Sequence, residues 1–257
     1  MLVVEGISVR FGGIAALKDI RFSVAEGEIV SIIGPNGAGK TTLFNMISGF
    51  ARPDSGSVAF QGRPIIGLTA NRIARLGLVR TFQKTEVFPE LSVAECVRIG
   101  LLNAFDSGIA GVFFGTRRVA DFVAGAPAAV EAILSEVGLL AKRDMAAQAL
   151  SYGEQRLLAI AVGLAARPRL LMLDEPASGL NPEESRRLGE LLRALRARGI
   201  TIVLVEHNMN VVMSVSDRIV VLHHGERIFE GTPAEVRASP AVVAAYLGQE
   251  WSADAAD

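Results

Sequence analysis

No stretch of this chain limits its fold more than Gly34-Pro35-Asn36-Gly37-Ala38-Gly39-Lys40-Thr41. It follows the apolar Ser31-Ile32-Ile33 and leads into residues 40–48, where Leu43, Phe44 and Ile47 fall at helical spacing. Strand, glycine-rich loop and helix in that order fit the G-x-x-x-x-G-K-[ST] pattern of a phosphate-binding loop. The glycines let backbone N–H groups turn inward onto a polyphosphate without Cβ atoms in the way, and the helix adds the positive end of its dipole. On this reading Lys40 supplies a point charge for the β- and γ-phosphates, Thr41 offers its hydroxyl to Mg2+, and Thr42 donates to a neighbouring phosphate oxygen. A glycine-rich turn that merely preceded a helix would have no need of lysine and threonine in register.

Such a loop needs carboxylates nearby, and one apolar strand supplies them. Leu170-Leu171-Met172-Leu173 is too apolar to face water and ends in Asp174-Glu175. At the carboxyl end of a parallel strand beside a phosphate loop, Asp174 is placed to bind Mg2+, usually through water, and Glu175 to polarise a water that attacks the γ-phosphate. The plainer alternatives are two solvated acids at a loop start, or a cap for the next helix.

The rest of the chain is read around these two segments. Residues 2–10, 20–24 and 28–33 are strand-like, with Gly12-Gly13 and Glu26-Gly27 as turns, so the chain opens β-rich. Between residues 92 and 149 Ala, Val and Leu recur at helical periods, interrupted by Gly108, Gly111, Gly115 and Pro127, which predicts a helical subdomain. From Leu170 onward, strands over 170–173, 201–205 and 218–222 alternate with helices over 182–198 and 208–214, the pattern of a parallel sheet with crossovers, and Gly225 turns a final hairpin.

Composition narrows the function. With 26 basic and 27 acidic residues the chain carries a net charge of -1, which gives no global attraction to nucleic acid or anionic lipid. The single cysteine, Cys96, excludes an intramolecular disulfide and reads as a small helix hydrophobe. The start, Met1-Leu2-Val3-Val4-Glu5, has no basic and apolar pattern of a signal peptide, and the apolar runs fall short of the roughly 20 residues a bilayer span needs. Any membrane function is therefore expected to come from a partner. His223 and His224 read as turn residues and Trp251 as a loose anchor in the tail.

Leu150-Ser151-Tyr152-Gly153-Glu154-Gln155-Arg156 resembles the signature that sets ABC ATPases apart from other phosphate-loop enzymes, with Tyr152 and Glu154 departing from its commonest form, LSGGQ. A Ser and a Gly at a helix start make a second anion-binding end, although Ser151 is also a plain N-cap. The resemblance implies that subunits pair head to tail, so that Ser151 and Gly153 of one meet the ATP held by the loop of the other. Gln83 resembles the glutamine that senses Mg2+ and the attacking water, and His207 the switch histidine that contacts the γ-phosphate. Ser178-Gly179-Leu180-Asn181 resembles the loop that touches the partner subunit, with Asn181 in place of the usual aspartate. Phe11 stands where an aromatic stacks on adenine, a role that needs only a π face; read without the family, it is a core residue of the β-rich lobe.

Within the family the sequence is most similar to the ATPases of branched-chain amino acid importers. The likeness is carried by residues 11–17, 41–45, 48–50 and 73–83 and by the tail over residues 240–248. It implies an α/β ABC ATPase fold of the P-loop NTPase class, one domain over residues 1–250 with a β-rich nucleotide-binding lobe and an inserted helical subdomain at about 92–165, then a short tail over 251–257. It further implies ATP and Mg2+, a second ATPase subunit as homo- or heterodimer partner, transmembrane permease subunits, an indirect link to a periplasmic solute-binding protein, no nucleic acid, and a peripheral place on the cytoplasmic face of the cell membrane. Residues 105–116 are apolar enough to pack near the permease or inside the subdomain. Lipopolysaccharide-export and urea-import ATPases share much of this pattern, and a soluble non-transport ABC ATPase is the reading from another class.

Overall fold

The computed structural model describes residues 1–81, 90–104 and 117–246. Gln83, the apolar stretch 105–116 and Trp251 lie outside the described residues.

The chain opens with an antiparallel hairpin, β1 (Leu2–Phe11) and β2 (Ile14–Val24), turned by Gly12-Gly13, both at positive φ. Strand β2 begins well before the expected residue 20, and irregular register between Val4 and Arg10 lets the long hairpin coil over the core. Next come β3 (Ile29–Ile33) and α1 (Lys40–Ile47), then β4 (Ser55–Phe60), β5 (Arg63–Pro64), α2 (Ala70–Arg75) and β6 (Leu78–Arg80). Helices α3 (Val93–Ala104), α4 (Arg117–Glu136) and α5 (Tyr152–Ala165) follow, the last two separated by 3-10 turns at Leu140–Lys142 and Ala147–Ala149. The chain then alternates β7 (Leu170–Asp174), α6 (Pro182–Ala197), β8 (Thr201–Val205), α7 (Met209–Val215), β9 (Arg218–His223) and β10 (Glu226–Gly231), and ends with α8 (Pro233–Ala238) and α9 (Pro240–Tyr246).

Two sheets form. Strands β2-β1-β4-β5 make an antiparallel sheet, and β10-β9-β3-β8-β7-β6 make a second that is parallel from β9 to β6. Its inner strands are wholly apolar or buried because both faces are covered. Their two-residue period divides them between two cores. Leu171, Leu173, Ile202 and Leu204 point to the layer of α3, α4, α5 and α6, whereas Leu170, Met172, Val203 and Val205 point to α1 and the antiparallel sheet. A smaller cluster joins Ile33, Val212, Ile219 and Val221 to Val236 and Val242 of the two last helices.

Pro127 does not interrupt the helical stretch as its sequence position suggests; it lies inside α4. The residue is exposed, as is Val123, whose carbonyl loses its usual donor, so water can take the bond that proline cannot give. The opposite face, with Ala126, Val130 and Leu134, is buried against the helical core and carries the helix past the missing bond. Cys96 is buried in the same core.

Candidate functional site

The parallel register brings the carboxyl ends of β3, β8 and β7 side by side: Ile32 pairs with Val205, and Val205 with Asp174. Whatever follows these three strands must share one edge of the sheet, the usual place for a ligand in such folds. The segments that follow them are residues 34–42, Glu206-His207 and Glu175.

The loop after β3 closes tightly. Ala38 N–H donates to the Pro35 carbonyl at 3.1 Å, and Gly225 N–H to the Ala38 carbonyl at 3.2 Å, which ties the loop to the β9–β10 turn. Gly39 adopts the left-handed backbone conformation at φ 101°, and an added Cβ there would lie 2.8 Å from the Ala16 carbonyl oxygen and 2.7 Å from the Leu17 side chain. A Cβ at Gly34 would overlap the Leu222 carbonyl. These two glycines are therefore required by close packing beneath the loop. Gly37 and Asn36, by contrast, are exposed on its rim, and a Cβ at Gly37 would meet only open space.

Lys40 is the first residue of α1 and is only 8% exposed. Its Nζ bends back to donate to the carbonyls of Gly34 at 2.6 Å and Pro35 at 3.1 Å, which places the ammonium across the mouth of the loop. Burial pulls its pKa below the ordinary lysine value, against the opposing pull of Glu175 and then Asp174. The two carboxylates and the lysine thus feel one another across the site. Thr41 is exposed and Thr42 half-buried on the same first turn.

Asp174 is the last residue of β7 and is buried, and its Oδ2 accepts from Nη2 of Arg80 at 2.8 Å. Glu175 follows at φ 50°, an uncommon left-handed conformation for a non-glycine residue, held by its N–H donating to the Val205 carbonyl at 2.8 Å. This twist turns its side chain out of the strand, to 19% exposure, with Oε2 3.9 Å from Nδ1 of His207. Such a separation permits an ion pair when the imidazole is protonated and leaves room for the pair to open toward a third group.

Glu206 anchors this corner from below. Fully buried, it accepts N–H groups from Ala177 through Oε1 at 2.6 Å and from His207 and Asn208 through Oε2 at 2.8 and 3.0 Å. One carboxylate therefore fixes both the loop after Glu175 and the loop that bears His207. Neither Glu206 nor Arg80 stands out as functional in the sequence. The available signal was a charge at the end of a buried strand, the same feature that picks out Asp174 and Glu175.

Ser151, Tyr152 and Gly153 gather in a separate cluster at the start of α5. Ser151 accepts from Glu154 N–H while the Glu154 carboxylate accepts from Ser151 N–H, a reciprocal cap that starts the helix at Tyr152, ahead of Gly153. The Tyr152 ring lies over Gly179, and Gly153 packs so closely on Glu184 and Leu180 that a Cβ there would come within 2.6 Å of a Glu184 oxygen. Asn181 caps α6 through its side chain, the same reciprocal arrangement with Glu184. The loop 178–181 and the α5 start therefore form one packed unit. Phe11, at the tip of the first hairpin, is 55% exposed, which overturns its reading as a core residue and leaves its ring face available.

The donor chemistry fits a hard divalent cation. Thr41 and Asp174 offer a hydroxyl and a carboxylate, and among the described residues no group of three or more His, Cys, Asp and Glu forms a cage. A Mg2+ ion typically takes one or two protein oxygens, keeps several waters and completes its shell with substrate phosphates.

Comparison with known proteins gives the family and the fold. The family described as ABC transporter matches residues 17–178, and the family described as branched-chain amino acid ATP-binding cassette transporter matches residues 226–251. The chain is 42% identical over 253 residues to the high-affinity branched-chain amino acid transport ATP-binding protein LivG of Salmonella typhimurium, covering 97% of this chain and 98% of that one. A solved structure of the ADP conformation of MJ1267, an ATP-binding cassette of an ABC transporter, superposes with a TM-score of 0.85 at 32% identity, covering 97% of this chain and 99% of that one. The dimeric structure of MJ0796, a bacterial ABC transporter cassette, superposes with a TM-score of 0.74 at 28% identity, covering 91% and 99%.

Proposed function

The chain belongs to the ABC transporter family and is an ATP hydrolase, and from that premise we propose that it powers uptake of branched-chain amino acids through separate permease subunits. The observation that carries the solute is likeness to LivG along 97% of the chain, joined by the match of residues 226–251 to the branched-chain family. No helix among the described residues is long and apolar enough to cross a membrane, so a transport role calls for partner chains. We place the protein as a peripheral subunit on the cytoplasmic face of the cell membrane, acting with a solute-binding protein on the far side.

In this reading residues 1–250 form one ATPase domain, with a helical subdomain at about 92–165. Phe11 stacks on adenine. Backbone N–H groups of the loop after Pro35 and the Lys40 ammonium bind the β- and γ-phosphates, and Lys40 exchanges its bonds to the Gly34 and Pro35 carbonyls for phosphate oxygens. Thr41, Asp174 and Gln83 would hold Mg2+, which would supply charge neutralisation to the triphosphate. Glu175 takes the proton of the attacking water. His207, 3.9 Å from Glu175, moves onto the γ-phosphate once that space is filled. The Ser151–Gly153 end of a partner's α5 closes over the same phosphates, which makes ATP the glue of a dimer whose other member is a second cassette or another copy.

The test is reconstitution in proteoliposomes with two permease chains, a companion cassette and a binding protein from the same gene cluster. Leucine, isoleucine or valine should raise ATP hydrolysis and accumulate inside. Stimulation by urea alone, or none by any branched-chain amino acid, would refute the solute assignment while leaving the ATPase intact.

A further inference from the structure

Arg80, the last residue of β6, has almost no contact with water: its side chain is 6% exposed, and that of its partner Asp174 is 5% exposed. An arginine there could serve only to neutralise a buried acid, and a buried pair of that kind is weak evidence of anything more. The remainder of the guanidinium says otherwise. While Nη2 donates to Asp174 Oδ2 at 2.8 Å, Nη1 donates to Oδ1 of Asn45 on α1 at 2.7 Å and to Oγ of Ser48, the residue that caps the end of α1, at 3.0 Å. The guanidinium carbon also lies 5.4 Å from the centre of the Phe44 ring and 5.9 Å from that of Phe50. Ser48 is itself fixed by donating to the Phe44 carbonyl at 2.6 Å.

We propose that Arg80 is a positioning residue for the metal site, locking the Asp174 carboxylate to the helix that carries Lys40 and Thr41. The proposal rests on the reading of Asp174 as a Mg2+ ligand. Asp174 and Thr41 reach the metal from different elements, β7 and α1, and their spacing sets the site. A planar fork that bonds both elements at once holds that spacing, and it occupies Oδ2 so that the other carboxylate oxygen is the one presented to the ion and its waters. Lysine would keep the charge but, as a single compact ammonium, could not keep all three acceptors at these distances. Outer partners of metal ligands typically cost about 10–100-fold in metal affinity or activity when lost.

The experiment measures binding of a non-hydrolysable β,γ-imido ATP analogue to the full chain by calorimetry, first in EDTA and then across a Mg2+ titration. Arg80→Lys should leave affinity in EDTA within about twofold and raise the Mg2+ needed for half-maximal strengthening by about 10-fold or more. Asn45→Ala, which removes the shorter of the two tethers but keeps the ion pair and the Ser48 bond, should shift it the same way by less, and it decides the matter if Arg80→Lys does not fold. Asp174→Asn should raise the Mg2+ requirement, and adding Arg80→Lys to it should cost little more, because the arginine acts through that carboxylate. If Asp174→Asn shifts the Mg2+ requirement and neither Arg80→Lys nor Asn45→Ala does, Arg80 only compensates charge and the proposal is wrong. If Asp174→Asn shifts nothing, the metal reading itself fails and takes the proposal with it.

Discussion

Replacing Glu206 by glutamine tests how far the catalytic corner depends on one buried group. The carboxylate accepts three backbone N–H groups, from Ala177, His207 and Asn208. Glutamine keeps the shape but turns one acceptor oxygen into a donor. The less costly orientation sets the amide nitrogen against Ala177 N–H alone, since the oxygen then keeps two partners. That arrangement loses one bond to a charged group, about 1.5–3 kcal/mol, and leaves a buried N–H unsatisfied, about 1–3 kcal/mol. Relief from burying a charge offsets part of this, so the net loss should be about 2–4 kcal/mol. At about 2–4 °C per kcal/mol for a domain of this size, the melting temperature should drop by about 5–15 °C. Calorimetric melts and urea titrations with unchanged slope read the loss, and ATP hydrolysis should fall at unchanged ATP affinity because the His207 and Ala177 loops lose their common anchor. A variant within about 0.5 kcal/mol of the native chain, at native turnover, would refute this role for Glu206.

Lys40→Ala should abolish tight binding of Mg-ATP while the melting curve stays cooperative, because the loop is held by its own backbone bonds at Ala38 and Gly225; unchanged affinity in calorimetry would remove Lys40 from the phosphate site. Phe11→Ala should weaken ATP by about tenfold, the worth of roughly 1–1.5 kcal/mol of ring stacking, with stability within about 0.5 kcal/mol since the ring is exposed; an equal loss for triphosphate alone would show that the ring does not read the base. The Glu154 carboxyl is held below the ordinary glutamate range, first by the Lys142 ammonium and then by the Ser151 cap. Its stabilisation is therefore complete above about pH 4.5 and lost as pH falls through the lower folded value, and Glu154→Gln should flatten that part of the acid unfolding curve.

The phosphate loop and the two acids at the end of β7 were legible because each combines a local pattern with a forced context: a strand that cannot face water, then polar groups that must find a partner. The parallel sheet was legible for the same reason, since its strands are buried on both faces. Pro127 was misread because local propensity knows nothing of the apolar stripe that carries α4 past it. The dual reading of Phe11 could not be settled by sequence, since exposure depends on the hairpin's tip projecting beyond the sheet. Arg80 and Glu206 stayed hidden because the partner that gives each its role in the site, Asp174 for one and Ala177 for the other, is distant in sequence and meets it only through strand order. Asn181 carries a further lesson. Its side chain caps α6, a local task that asparagine and aspartate perform equally well, so the replacement costs the fold nothing.

The most direct measurement is the rate of ATP hydrolysis by Glu175→Gln beside the native chain, each assembled with the companion cassette at matched ATP affinity. Removing the base while keeping the side chain's shape should slow turnover at this site by about 100-fold or more, with nucleotide binding retained and ATP holding the pair together on size exclusion. Hydrolysis at the native rate, or a pair that ATP never joins in any combination, would contradict both the role of Glu175 and the shared site.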